Sequence, residues 1–262
     1  MTVELCDQTG SLPLSELLAV LAAKADGVPR AMGGGQFLLS LDETGLALHD
    51  AHDPRAAATR VDFSDAGLQY RLQTTGKRQG LGKAIGLDKV KASQQVSVVD
   101  ATAGLGRDAL VLAHLGCRVL MLERSPIIHA LLADGLQRGS QHAELKVVLA
   151  RMQLQQADAR QWLAAAASGD ERPDVVYLDP MFPPRDKSAK VKKDIALLHA
   201  LLGSEEDLPS LLQAARAVAR YRVVLKRPDG KLPTGVPEPT FWLKGKAAAF
   251  AIYVNSSFAN TP

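Results

Sequence analysis

Two stretches of the chain carry side chains whose types and spacing suit chemistry. The first is VVYLDPMFPPRDKSAKVKK, residues 175–193. An apolar, strand-like tetrad ends on Asp179, and Pro180, Met181, Phe182 and Pro183 follow at once. A turn needs only one proline with a glycine or asparagine, so the excess reads as a surface shaped for a ligand. Five cations then crowd into nine residues: Arg185, Lys187, Lys190, Lys192 and Lys193. The second stretch is VVDATAGLGRDAL, followed by RVLMLER. Asp100 closes a strand, Gly104 and Gly106 lie between that strand and a helix, and Glu123 closes the next strand. Glycines in such a turn let the backbone approach a ligand at the helix N-terminus. An acid at the second tip accepts hydrogen bonds from ribose hydroxyls. Asp158 falls near the tip of a third strand, so three acids at successive carboxyl edges outline a nucleoside site at the topological switch point. Each feature also has a plainer use. A lone G-x-G makes a tight βα turn, Asp108 is a first-turn acid of the kind a helix dipole favours, and Asp179 could cap the following helix.

The choice of nucleoside follows from the turn. A dinucleotide site wants G-x-G-x-x-G, but here Thr102 stands at the first glycine position and Asp108 at the last. An acid facing a pyrophosphate is repelled, whereas acids suit a cationic cofactor without phosphate, such as S-adenosylmethionine. The tetrad Asp179-Pro180-Met181-Phe182 resembles the (D/N)PP(Y/F) motif of methyltransferases acting on exocyclic amines, with Met181 replacing the second proline. An aryl amine is a poor nucleophile because its lone pair is delocalised into the ring. The Asp179 carboxylate and the Pro180 carbonyl can hold its two protons and aim the nitrogen, proline fixing the turn. Phe182 can stack on a base taken out of its helix.

Taken together, residues 98–126 and 175–193 resemble the bacterial family of small-subunit ribosomal RNA guanine-N2 methyltransferases. The likeness spans roughly residues 77–254. It implies a Rossmann-like methyltransferase fold, S-adenosylmethionine as methyl donor, and 16S rRNA or the small ribosomal subunit as partner. It also implies that Arg107 and Asp108 are a cofactor pair, Glu123 and Arg124 a ribose-binding pair, and Asp179 the acid of the catalytic tip. A third contact falls at Asp158 or Ala159, where some relatives carry serines, and Asp158 is an alternative partner for the adenine amine. The lysines after the tip then have a role, holding phosphates that flank the flipped guanine. A second candidate RNA surface lies between Arg71 and Lys91 and includes Lys77, Arg78 and Lys83.

The elements that must position these residues are legible as a rhythm. From residue 96 onward, strands alternate with helices, as in βαβ units of a parallel sheet. Helices are expected over 106–115, 127–138, 159–167 and 205–220. Strands are expected over 96–100, 118–123, 146–151, 174–179 and 222–228, the third of them feeding a loop that ends at Asp158. Residues 240–255 read as a hairpin about Gly245, so the last strand should run antiparallel. The earlier chain reads as a small α+β domain over residues 1–74, before a methyltransferase domain over 75–262. It contains a capped helix over 11–27 and strand-like pieces at 37–41, 45–50, 60–63 and 68–72.

Composition sets outer limits. With 262 residues, 47% hydrophobic, 23% charged and only 5% aromatic, the chain suits helix-covered sheets better than an all-β sandwich. The two cysteines and six histidines show no metal-ligand spacing, so no metal is expected. No apolar run approaches a membrane span, and the expected location is the cytoplasm. Two other functions compete. A nicotinamide-dependent oxidoreductase would keep the βαβ units and Glu123 but leave the DPMF tip unexplained. A non-catalytic RNA-binding module would have no need of Asp179-Pro180. Within the methyltransferase class, DNA or tRNA, or an adenine target, remains an alternative.

Overall fold

The computed structural model describes residues 3–7, 37–50, 53, 55, 57–91, 93–169, 172–180, 208–227, 230–245 and 248–258. The expected helix at 11–27, the residues Met181, Phe182, Pro183, Arg185, Lys187, Lys190, Lys192 and Lys193, and the first residues of the helix expected at 205–220 lie outside these.

A seven-stranded sheet forms the centre. Its strands are β4 (Ser97–Asp100), β5 (Arg118–Glu123), β6 (Met152–Gln156), β7 (Val175–Leu178), β8 (Arg222–Arg227), β9 (Phe241–Lys244) and β10 (Ala249–Val254). They lie in the order β6-β5-β4-β7-β8-β10-β9. β4 to β8 run parallel, while β10 is antiparallel to both neighbours. The sheet is buried on both faces, which is why the central strands read as continuous Val and Leu rather than as alternation. On one face Val98, Tyr177, Val224 and Ile252 pack with helices α3 (Arg107–His114), α4 (Pro126–Gly139) and α5 (Ala143–Leu149). On the other, Val99, Val176, Leu178 and Leu225 pack with α6 (Ala159–Ala166) and α7 (Leu208–Val218).

Three local expectations are corrected. Residues 68–72 are not a strand but part of a helix, α1 (Ala66–Thr74). LQYRL satisfies both periods, since Leu68 and Leu72 sit at i and i+4. The Asp65 side chain decides, accepting the Leu68 N–H as an N-cap. Residues 60–63 form no strand; nearby, only an isolated bridge joins Thr59 to Leu48. Residues 146–151 belong largely to α5, whose Leu145 and Leu149 make the buried helical stripe. The third strand comes later, as β6, an edge strand with exposed Gln153 and Gln155 that gives little apolar signal. α2 (Gly80–Ala84) lies within the basic segment between Arg71 and Lys91.

The earlier residues form a second, three-stranded sheet of β1 (Val3–Asp7), β2 (Phe37–Asp42) and β3 (Gly45–Asp50). β2 and β3, two of the expected strand-like pieces, pair as an antiparallel hairpin. Leu39, Leu46, Leu48, Val61 and Phe63 join the same hydrophobic cluster as α3 and α4. Asp134 on α4 accepts the Leu46 N–H at 3.1 Å, and Arg138 donates to the Val61 carbonyl at 2.5 Å. Gly135 lies under Val61. A Cβ there would come within 2.7 Å of the Val61 Cβ and 2.9 Å of its carbonyl oxygen. In an open helix Gly→Ala gains about 1 kcal/mol, but overpacking costs about 1–3 kcal/mol. Gly135→Ala is therefore expected to lower Tm; a raised Tm in thermal unfolding would refute this close packing.

Candidate active site

The parallel strands deliver their carboxyl ends to one edge, and the acids read from the sequence meet there. Asp100 is the last residue of β4 and Glu123 the last of β5. Asp179 follows β7 directly. The turn between β4 and α3 carries Gly104 at φ +52° and Gly106 at φ +69°, left-handed values that favour glycine. The two glycines have different reasons. A Cβ on Gly106 would strike Leu132 at 2.7 Å, so this glycine lets α4 close on the turn. Its N–H is held by the Ala103 carbonyl. A Cβ on Gly104 would meet nothing nearer than the Thr102 carbonyl oxygen at 4.0 Å, so space lies open above it.

Glu123, 5% exposed, pins this turn. Its Oε2 accepts the Gly104 N–H at 3.1 Å and its Oε1 the Ser125 N–H at 2.8 Å. Ser125 in turn caps α4. Asp100 is buried and accepts the Thr102 N–H at 3.2 Å. Burial pushes its carboxyl up to about 8, with Asp108 and Asp179 adding to the rise and the Thr102 N–H opposing it. Thr102 then reaches across the edge, its Oγ1 accepting the Asp179 N–H at 2.6 Å.

Asp108, itself buried, is the centre of a part-buried charge cluster that the sequence did not reveal. Its Oδ1 takes Arg71 from α1 at 2.5 Å. Its Oδ2 takes the Tyr177 hydroxyl and, at 2.8 Å, the Lys226 ammonium of β8. Lys226 also donates to Asp179 Oδ2 at 2.7 Å. Burial alone would raise Asp108, but Lys226 and Arg71 outweigh it and hold the carboxyl well below the usual carboxylate range. Burial likewise raises Asp179, to about 6, and there the pull of Lys226 offsets the effect only in part. Lys226 itself is kept firmly protonated by the two carboxylates, against the effect of burial. Tyr177 is pushed far above its ordinary value by burial and by Asp108.

Other sequence candidates land more loosely. Arg107 is exposed and lines a cavity of about 240 Å³ with Leu105, Phe63 and Asp62. Asp158 caps α6, accepting from the Arg160 backbone at 2.8 Å and its guanidinium at 3.0 Å, with Ala159 the first helical residue. Arg124, half-buried, follows β5. Pro180 is buried. Lys77, Arg78 and Lys83 are all exposed. Arg71, in contrast, is tied to Asp108. The missed residue is Lys226. Its signal was present: aligning the apolar runs VVYLD and RVVLK puts Lys226 beside Asp179.

The donor set fits a cationic nucleoside cofactor. An open glycine turn and acids at the strand tips accept hydroxyl and amino groups, and Asp108, held by Arg71, Tyr177 and Lys226, stands where a pyrophosphate site would need glycine. With a parallel sheet closed by an antiparallel hairpin, these features define a Rossmann-like methyltransferase of the S-adenosylmethionine-dependent class. The sequence pattern of the family described as "Putative SAM-dependent methyltransferase" matches residues 30–255. The chain is 45% identical over 241 residues to the ribosomal RNA small subunit methyltransferase J of Thioalkalivibrio sulfidiphilus, covering 92% of this chain and 90% of that one. It is 41% identical to the protein of the same name from Cellvibrio japonicus, with 97% of each covered. Among solved structures, a SAM-dependent methyltransferase from Neisseria gonorrhoeae superposes with a TM-score of 0.71 at 27% identity over the whole of both chains. This chain belongs to that SAM-dependent methyltransferase family. Among the described residues no helix is long and apolar enough to cross a membrane.

Proposed function

We propose that the protein transfers a methyl group from S-adenosylmethionine to the exocyclic N2 amine of one guanine in 16S rRNA. The observation that carries the reading is the Asp179-Pro180 tip, held by Thr102 and Lys226 beside an acid-rimmed glycine turn. Relatives named for small-subunit rRNA support the substrate class, and in this reading the protein works in the cytoplasm. When bound, the cofactor supplies a methyl on a sulfonium, which the amine nitrogen takes as the carbon–sulfur bond breaks. The chain's own work is positioning. With Oδ2 of Asp179 on Lys226, Oδ1 and the Pro180 carbonyl accept the two amine protons. The raised Asp179 carboxyl is a better proton acceptor than an ordinary aspartate and takes the proton that the methylated amine sheds. Glu123 and Arg124 hold the ribose end, Gly104 and Gly106 shape the turn, and Asp158 or Ala159 borders the adenine. Arg107 and Asp108 complete the cofactor set, Asp108 acting through the charge cluster. Phe182 stacks on the flipped base.

Lys77, Arg78 and Lys83, with Arg185, Lys187, Lys190, Lys192 and Lys193, contact RNA phosphates in this reading. Replacing Lys77, Arg78 and Lys83 together by alanine should weaken RNA binding on every sequence. It should also flatten the slope of log K against log salt by about 2–3. Fluorescence anisotropy across a salt series measures both, and an unchanged slope would remove these three from the interface.

The overall reading is tested with methyl-labelled S-adenosylmethionine and small subunits from cells lacking the enzyme. Label recovered as N2-methylguanosine after digestion supports it. Label in methyladenosine, or only in tRNA or DNA, overturns it.

A further inference from the structure

We infer that Lys226 is the positioning residue of the methyl-transfer site, clamping one oxygen of Asp179 so that the other is presented to the substrate amine. The inference rests on the reading of Asp179 as the amine-holding acid. It begins with strand register. β7 and β8 are parallel, with Tyr177 beside Val224 and Leu178 beside Leu225. The next step places Asp179 beside Lys226, and side chains at matched positions of parallel strands leave the sheet on the same face. That face holds α3, whose first turn carries Asp108. A lysine ending the buried run Val223-Val224-Leu225 thus projects between two carboxylates, 2.7 Å from Asp179 and 2.8 Å from Asp108.

The groups facing Lys226 divide its work. Asp100 faces it from β4, Asp108 from α3, and Tyr177 and Asp179 from β7, while Arg71 reaches the cluster from α1. Asp108 has Arg71 and Tyr177 as well as Lys226, so it keeps a cation and a hydroxyl without the lysine. Asp179 relies far more on Lys226, the strongest pull toward its ionised form. A carboxylate on a short stem turns readily about its last bond. A charge-assisted hydrogen bond to one oxygen removes that freedom and leaves a defined acceptor. The ammonium also keeps two neighbouring carboxylates ionised together, as the amine-holding role requires of Asp179.

A lysine that only neutralised Asp108 would contribute stability and leave catalysis alone. Single-turnover methyl transfer on small subunits lacking the modification separates the two, with cofactor affinity from calorimetry and Tm measured alongside. Lys226→Met should lower the single-turnover rate on the order of 10²-fold while the cofactor Kd stays within about threefold. The acid limb of its pH–rate profile should move upward by about one pH unit or more, because the cation that favours the Asp179 carboxylate is gone. Lys226→Arg, which restores a cation, should recover at least about tenfold of the lost rate and return the limb. Lys226→Gln, with one donor group and no charge, supplies the same readout if the methionine variant does not fold. A rate within about threefold of the parent, or a fall in rate with an unmoved acid limb, overturns the inference. Asp179→Ala is run in parallel. If that variant remains active, the reading of Asp179 has failed; if it is dead while Lys226→Met is unimpaired, the failure belongs to Lys226 alone.

Discussion

Asp179→Ala lowers the rate of methyl transfer by about 10²–10⁴-fold, the range that a positioned proton acceptor supplies. The carboxylate sits at the end of β7 with its N–H on Thr102 and its Oδ2 on Lys226, and its side chain is 32% exposed. It is therefore fixed by the protein yet open to a substrate. Truncation removes the amine acceptor and leaves Lys226 on Asp108, so the fold should survive and the cofactor Kd should change by no more than about threefold. Asp179→Asn keeps the shape but offers an amide, and should be nearly as inactive. The pH dependence has a defined sign. Burial raises the Asp179 carboxyl to about 6, and the active form is the ionised one. The rate should be level above that value and fall about tenfold per pH unit below it. A pH-independent rate from 5 to 7, or an active Asp179→Ala enzyme, would defeat the amine-holding role.

Glu123→Ala weakens cofactor binding by about 1–3 kcal/mol, the cost of leaving buried polar partners unpaired, which is a rise in Kd of about 5- to 150-fold. Glu123 is 5% exposed and joins the turn at Gly104 to the start of α4 at Ser125. Its loss therefore both removes an acceptor for the ribose and loosens the turn that shapes the site. Glu123→Gln separates these effects. The amide preserves volume and can still accept one N–H, so the turn is better kept while the charge is lost. Calorimetric titration with S-adenosylmethionine reads the affinity and thermal unfolding reads the turn. Lowered Tm with unchanged affinity would reduce Glu123 to a structural brace.

How far these sites were legible depends on how local their causes are. Asp100, Glu123 and Asp179 could be read because each closes a strand whose apolar run is visible in a few residues, and parallel strands carry their ends to one edge. Gly104 and Gly106 were legible as a pair, but not as one open glycine and one packed against Leu132, since that contact comes from another helix. The misread segments failed for equally definite reasons. LQYRL fits both periods, and only the Asp65 cap selects the helix. β6 is an edge strand, half polar, so the apolar Lys146–Leu149 run outshone it although it belongs to a helix.

The sequence by itself determined the class of site: an acid-rimmed glycine turn and an Asp-Pro tip are contiguous motifs whose chemistry follows from residue type. Tertiary structure alone decided what surrounds the catalytic acid. Arg71, Asp108, Tyr177 and Lys226 meet across separations of 37, 69 and 118 residues from Asp108. Their union depends on strand register and helix packing. A half-buried lysine becomes affordable only where two carboxylates wait for it, and no short stretch of the chain contains all three.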